Sequence, residues 1–387
     1  MDKNTEKACL CALNRIFGFE PKIGLALLSH LGSAEEVFEL SGKDMDFLLG
    51  PHSRYRGHLS RSNIEKEYEE LIRISKKGIR FTGWTEEGFP EMLKDCPDAP
   101  IGLYVRSSTP DTDLWSSRRA VSVVGTRDLS PYGREWCTRI VHSLGTSPEK
   151  PAIISGLAIG VDICAHRTAL DAGLPTIAVM ATGPESVYPV RHTDFAEKLC
   201  STAGCALVTD YPPGTSPLPV HFLRRNRIIA GLSEATLLIE SKIRGGGMMT
   251  ANLASSYGRD VYAVPGRIDD TCSQGCNFLI RNKVAEAVIG DDDFLKSLGM
   301  TSAGKRDRIT DKEKIAAMYG KHMPADRIDM LAAALLVIRR HRGMTVEELA
   351  DSLGTDYSNA AMLAGLLESD GFITIDLLQR CCINIIK

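Results

Sequence analysis

Three arginines and an asparagine occupy four successive positions, Arg224-Arg225-Asn226-Arg227, between Pro219-Val220-His221-Phe222-Leu223 and Ile228-Ile229-Ala230-Gly231. On a helix Arg224 and Arg227 are neighbours, so two guanidinium groups can meet one anionic backbone, while Phe222, Ile228 and Ile229 hold the segment against a core. That is phosphate chemistry. A second candidate is Lys242-Ile243-Arg244-Gly245-Gly246-Gly247, where three glycines ahead of a helix expected over 248–257 let backbone amides wrap an anion. A third is Gly125-Thr126-Arg127. Its glycine allows close approach, Arg127 can pair bidentately with a phosphate, and a helix beginning near Ser130-Pro131 would offer free N–H groups. Taken alone, a tight turn with a solvated arginine explains this tripeptide equally well.

Other chemistries find less support. Asp162 and His166 stand four apart and share a helix face, but an N-cap and a hydrogen-bonded imidazole account for them more simply than a catalytic pair. No convincing acid/base pair or metal cluster accompanies the glycine loops, so no catalytic residue is assigned. No Gly-Lys-Ser/Thr follows the glycines, which argues against a Walker loop, and Gly125-Thr126-Arg127 does not complete a dinucleotide fingerprint. Cys272 and Cys276 are close, yet no second Cys/His pair stands near them. The 11 cysteines are scattered along the chain and read as reduced structural thiols rather than zinc ligands or disulfides. Neither metal nor cofactor is expected.

Six short apolar runs, at 120–124, 152–154, 176–180, 206–209, 235–239 and 261–264, alternate with amphipathic stretches, as βαβ units require. The expected fold is α/β, a doubly wound parallel sheet, with every following loop on the carboxyl edge where such folds bind ligands. Those loops include Gly125-Thr126-Arg127, Ser155-Gly156-Leu157-Ala158-Ile159-Gly160 and the Lys242–Gly247 segment. Tyr188, Tyr211 and Phe222 lie in or near them, more readily as core residues than as stacking platforms.

A chain of 387 residues calls for two or three domains. Residues 1–77 read as short helices, with Leu10, Leu13, Ile16 and Phe17, then Ile23, Leu27, Leu28 and Leu31, at helical spacing on either side of Gly18 and Pro21. IFGFEPKIGLALLSHLGS resembles a degraded helix-hairpin-helix, but Glu20 replaces the second hairpin glycine and would repel a phosphate, so helical packing is expected there. Residues 78–300 form the main domain with its connector, 301–323 a polar linker, and 324–387 a terminal domain. Helices at 331–338, 346–353 and 358–369 followed by a hairpin give the order of a winged helix. Its third helix carries no Lys or Arg and would suit a duplex major groove poorly, which favours packing or protein contact. Arg339, Arg340 and Arg342 on the preceding helix remain as the case for DNA. The net charge of −3 gives no global attraction to nucleic acid, so a polyanion site must be a local cluster. The amino terminus is polar, and no apolar run reaches the ~18 residues of a membrane span, so a cytoplasmic protein without membrane insertion is expected.

In order, VGTRDLSPYG, SGLAIGVDICAH, ATGPESVYP, PPGTSPLPVHFLRRNRIIAGLS, GGGMMTANLASSYGRDVYAVPG and QGCNFLIRN resemble the DNA-processing protein A family, also called DprA or Smf. The resemblance implies an extended Rossmann-like domain that binds single-stranded DNA, a homodimer, and a RecA-type recombinase as the partner loaded on DNA entering in natural transformation. It implies DNA contact at Arg127, at Gly156, at the Arg225-Asn226-Arg227 core and at the glycine loop. Many relatives carry Ser-Gly-Ser where this chain has Gly245-Gly246-Gly247, and a lysine where it has Pro175. Lys242 and Arg244 offer compensating charge. The competing reading is a nucleotide-binding or nucleotide-cleaving enzyme of a related Rossmann-like family, using Asp162, His166 and Glu240.

Overall fold

The structure, a computed structural model, describes residues 3–115, 119–300, 315–316, 318–319, 323–340, 344–376 and 379–383. Backbone contacts divide the chain into two compact units, Met1–Ala303 and Gly304–Lys387.

The first unit opens with helices α1 (Lys3–Phe17), α2 (Pro21–Leu31), α3 (Ala34–Glu39), α4 (Gly42–Leu49) and α5 (Arg61–Ser75). Then come β1 (Ile79–Gly83), α6 (Glu91–Lys94), β2 (Gly102–Arg106), α7 (Asp111–Trp115), β3 (Ala120–Val124), α8 (Pro131–Gly145), β4 (Ala152–Ser155), α9 (Val161–Asp171) and β5 (Thr176–Val179). The remainder is α10 (Thr193–Ser201), β6 (Ala206–Thr209), α11 (Pro219–Gly231), β7 (Ala235–Leu238), α12 (Gly246–Ser256), β8 (Asp260–Ala263), α13 (Gln274–Arg281), β9 (Glu286–Ala287) and α14 (Asp291–Ser297). The nine strands form one sheet in the order β1-β2-β6-β5-β4-β3-β7-β8-β9. All pairs from β6 to β9 are parallel, while β1–β2 and β2–β6 are antiparallel.

The six expected strands are β3 to β8, and their unbroken apolar character has a direct cause. Val121 and Val123 of β3 enter a core with Ile140 of α8 and Ala165 of α9. Ala120 and Val124 enter the opposite core with Ile228 and Ile229 of α11 and Ala251 of α12. With both faces covered, no polar alternation is possible. From β3 the chain winds outward through β4, β5 and β6, then returns to the far side of β3 as β7 and β8. The helices after β3 and β7 therefore cover opposite faces, and a crevice opens at the carboxyl ends of these two central strands.

The helical segment belongs to this unit. Phe17 of α1, Leu27 of α2 and Val37 of α3 share a core with Ile79 and Phe81 of β1 and Tyr104 of β2. Glu20, in the turn between α1 and α2, is engaged by Arg54 at 2.6 Å and by the Tyr55 hydroxyl. The turn is closed by protein groups.

In the second unit, α15 (Ala325–Arg340), β10 (Met344–Thr345), α16 (Val346–Leu353), α17 (Tyr357–Ser369), β11 (Ile373–Ile375) and β12 (Arg380–Ile383) enclose a separate core of Leu331, Leu335, Leu349, Leu363 and Phe372. Thr345 and Glu348 cap α16 reciprocally, which fixes the tight start of that helix. The strands pair antiparallel in the order β10-β12-β11. Arg342, the side chains of Arg339 and Arg340, and most of 301–323 lie outside the described residues. Among the described residues no helix is long and apolar enough to cross a membrane.

Candidate nucleic-acid interface

The loops after β3, β4 and β7 are fastened to one another before they present anything outward. The Thr126 amide donates to the Glu240 carbonyl at 2.8 Å, and the Val161 amide donates to the Thr126 carbonyl at 3.1 Å. Gly160 makes the second contact possible. Its φ is +88°, and a Cβ there would lie 2.2 Å from the Thr126 carbonyl oxygen. A Cβ on Gly247 would come within 3.0 Å of the Gly125 Cα, so the first and third glycine loops also meet. Ser155 donates to the Val123 carbonyl at 2.7 Å and braces the strand ends from below.

The arginine run lies on α11, and the structure distributes its members differently from two guanidinium groups on one ligand. Arg225 is 4% exposed. It donates to the Gly156 carbonyl at 2.7 Å and to the Val179 carbonyl, tying the loop after β4 to the end of β5. A Cβ on Gly156 would meet the guanidinium at 2.5 Å, so this glycine makes room for an arginine of the same chain. Burial draws Arg225 down to about 10, against the pull of Asp162, and it stays charged at neutral pH. Asn226 accepts from the Arg225 Nε at 3.2 Å. Arg224 and Arg227 do share a face, but they converge on Asp210, at 3.7 Å and in a direct bond respectively. Arg227 also reaches the Asp98 carbonyl. The apolar anchoring expected for the run is thus so complete that it buries most of the charge.

The amino end of α8 also departs from the expected open anion site. Ser130 caps it by accepting from the Gly133 amide at 3.0 Å, and the buried Glu240 carboxylate accepts the Ser130 amide at 3.0 Å and the Ser130 hydroxyl at 2.5 Å. A side-chain carboxylate already occupies the favourable end of that helix dipole. Asp162 accepts from the Ala158 amide at 3.3 Å, and burial raises its carboxyl above the ordinary value, opposed first by Arg225. His166 is fully buried, 2.7 Å from the Thr176 hydroxyl, and is drawn down to about 3 by burial, then by Arg225 and His192. Because the unfolded imidazole titrates near 6.5, stability is expected to fall as pH drops from that value toward 3, at up to about 1.4 kcal/mol per pH unit. His166→Asn should flatten that slope in urea-unfolding series run at several pH values. An unchanged slope would contradict the burial assigned to the ring.

What remains at the surface is a narrower set. Arg127 is exposed, with its guanidinium 5.3 Å from the centre of the Phe222 ring. That ring packs edge-on against Tyr188 at 5.3 Å, and Tyr188 is 44% exposed. Tyr211, by contrast, is a core residue. On the loop after β7, whose Gly247 packs against Gly125, Lys242 and Arg244 are exposed and precede the glycines. Gly245 precedes α12 and Gly246 and Gly247 begin it, so the Gly246 and Gly247 amides belong to a first turn with no earlier helical carbonyl to accept them. Beyond its chain neighbours and its own helix backbone, no atom lies within 4 Å of where a Gly246 Cβ would stand. The acidic residue of the β5 loop, Glu185, is engaged by Arg73 and Lys77 of the helical segment, which hold it down near 2. Sequence reasoning missed Asp210 as the anchor of the arginines and Glu240 as the carboxylate that holds the Ser130 cap of α8. An acid at the end of β6 facing an arginine-rich helix was the available signal for the first.

A mostly parallel nine-stranded sheet covered by helices on both faces defines a class, the α/β proteins with an open, Rossmann-like sheet. Residues 80–299 match the family model described as DNA recombination-mediator protein A, and the chain belongs to that family. It is 30% identical over 301 residues to Protein Smf of Synechocystis, spanning 76% of this chain and 73% of that one. It is 32% identical over 253 residues to DNA processing protein DprA of Streptococcus pneumoniae, spanning 64% of this chain and 86% of that one. The X-ray structure of the S. pneumoniae protein superposes with a TM-score of 0.60 at 29% identity, covering 76% of this chain and 97% of that one. The fold is shared, too, with DNA processing protein A from Helicobacter pylori, whose structure is described for its single-stranded DNA binding mode. That superposition has a TM-score of 0.50 at 24% identity and covers 56% of this chain and 95% of that one.

Proposed function

We propose that the carboxyl edge of the sheet binds single-stranded DNA without sequence preference and presents it for recombination. The observation that carries this reading is the exposed Arg127 beside the Phe222–Tyr188 pair, on a loop whose Gly125 packs against Gly247 of the segment that carries the exposed Lys242 and Arg244 and the Gly246 and Gly247 amides. Cations and amides suit a sugar-phosphate backbone, and an aromatic surface takes a base from any unpaired strand, whereas a duplex keeps its bases stacked on one another. The relatives named for DNA processing support the same assignment. Gly125, Thr126, Ser155, Gly156, Gly245, Arg224, Arg225, Asn226 and Arg227 act as the frame that holds these groups in place.

The working unit is a homodimer with a RecA-type recombinase as partner, in natural transformation or another recombination task. Residues 1–77 form a helical domain, 78–300 the DNA-binding body, 301–323 a linker and 324–387 a winged helix that contacts protein. The enzyme reading finds little support in Asp162, His166 and Glu240, each of which is buried and serves loop or helix geometry. Competition between unlabelled single-stranded and duplex oligonucleotides for the protein tests the proposal. Preference for the single strand is expected. Equal competition, or nucleotide turnover abolished by Asp162→Ala, would favour the alternative.

A further inference from the structure

The helical segment holds a cleft of about 790 Å³ that the edge site does not use, lined among others by Arg15, Phe19, Arg54, Tyr55, His58 and Lys66. Its size is that of a small-ligand site, and its chemistry mixes an aromatic ring with cations. Its two carboxylates are already committed. Glu67 is bonded to Arg15 and accepts from Cys11, and Glu70 is bonded to Arg73. Lys66 and His58 are exposed and have no ion partner among the described residues. Arg15 and Arg54 are likewise paired, with Glu67 and Glu20, so the cation left for a ligand among the described residues of the cleft is Lys66, with the His58 ring beside it.

The position of Phe19 links this cleft to the edge. Phe19 lines the cleft and is 60% exposed. The Arg224 guanidinium lies 4.6 Å from the centre of its ring, and the His221 ring lies 6.0 Å from it. Both partners are on the first turns of α11. Phe222, which follows His221 in sequence, turns instead toward Tyr188 and Arg127 on the edge. The first turns of one helix thus contact the cleft through His221 and Arg224 and the edge through Phe222. Arg73 and Lys77 pair with Glu185, joining the helical segment to the loop after β5.

We propose that the cleft is a second subsite for the same strand, taking a nucleotide beyond those on the sheet edge, with a base on Phe19 and a phosphate on Lys66 and His58. The inference rests on the reading of the edge as a single-strand site. Fluorescence polarisation with oligothymidylates of about six and about twenty nucleotides, lengths that bracket a single site of this kind, separates the two. The long strand should bind more tightly to the wild type. Phe19→Ala and Lys66→Glu should each cost it about tenfold while changing the short strand by less than about twofold, the loss expected for one stacked base or one phosphate contact. Photocrosslinking with bromodeoxyuridine-substituted long strands should label the α1–α2 turn. Tight binding of both lengths with no length dependence, or variants equal to wild type on the long strand, would overturn the cleft subsite and leave the edge standing. Failure of both lengths to bind would overturn the edge reading, and the cleft with it.

Discussion

Arg225→Ala is expected to lower the stability of the first unit by about 3–5 kcal/mol, the cost of breaking a buried, fully engaged charge. Arg127→Ala should change stability by no more than about 0.5 kcal/mol, as exposed positions do. The difference follows from where the guanidinium groups lie. Arg225 spans the Gly156 and Val179 carbonyls with a face against the Gly156 Cα. Its removal leaves buried acceptors unpaired and takes away the cation that opposes the raised carboxyl of Asp162. Lysine should rescue little, since a point ammonium cannot replace a planar fork between two carbonyls. Urea unfolding followed by circular dichroism reads the effect directly. Unchanged stability with weakened DNA binding would mean that Arg225 is a contact residue and not part of the frame.

Gly160→Ala should cost a similar amount, about 3–5 kcal/mol, for a different reason. Its backbone has φ near +88° and ψ near −123°, a region that side chains with a Cβ avoid. The clash is also with backbone, the Thr126 oxygen at 2.2 Å and the Arg127 Cα at 2.7 Å, so no rotamer change relieves it. The loops after β3 and β4 would have to part, losing the Val161–Thr126 bond and displacing Arg127. Gly246→Ala is the control. Its added methyl meets nothing within 4 Å beyond its chain neighbours and its own helix backbone, and both stability and fold should be retained. Thermal melts of the two variants make the comparison, and equal melting temperatures would contradict the packing described.

Much of this was legible from residue order. Strands β3 to β8 stand out because burial on both faces makes them continuously apolar, and Ser130-Pro131 announced α8 because a hydroxyl cap followed by proline is a helix start. The fate of the arginines was legible only in part. His221, Arg225, Ile228 and Ile229 fall on one stripe at helical spacing, which places Arg225 on the buried side. Its charge argued for the surface, and the two carbonyls that satisfy it come from a strand 46 residues away and a loop 69 residues away. Asp210 and Glu240 were hidden for the same reason. A carboxylate's partner across a sheet depends on strand order, and that order, with β7 returning beside β3, is a property of the whole fold. The Phe19–Arg224 contact likewise joins segments that no local spacing connects.

In the proposed interface, Arg127, Lys242 and Arg244 bind the backbone of single-stranded DNA while the buried arginines hold the loops. Its most direct test is the dissociation constant of an oligothymidylate measured across a salt series, for the wild type and for Arg127→Ala/Lys242→Ala/Arg244→Ala. The expected result is a steep linear fall of log affinity with log salt for the wild type and a slope shallower by about 2 for the triple variant, as three lost phosphate contacts require. Its stability should match the wild type. Equal slopes and equal affinities would contradict the assignment of the edge.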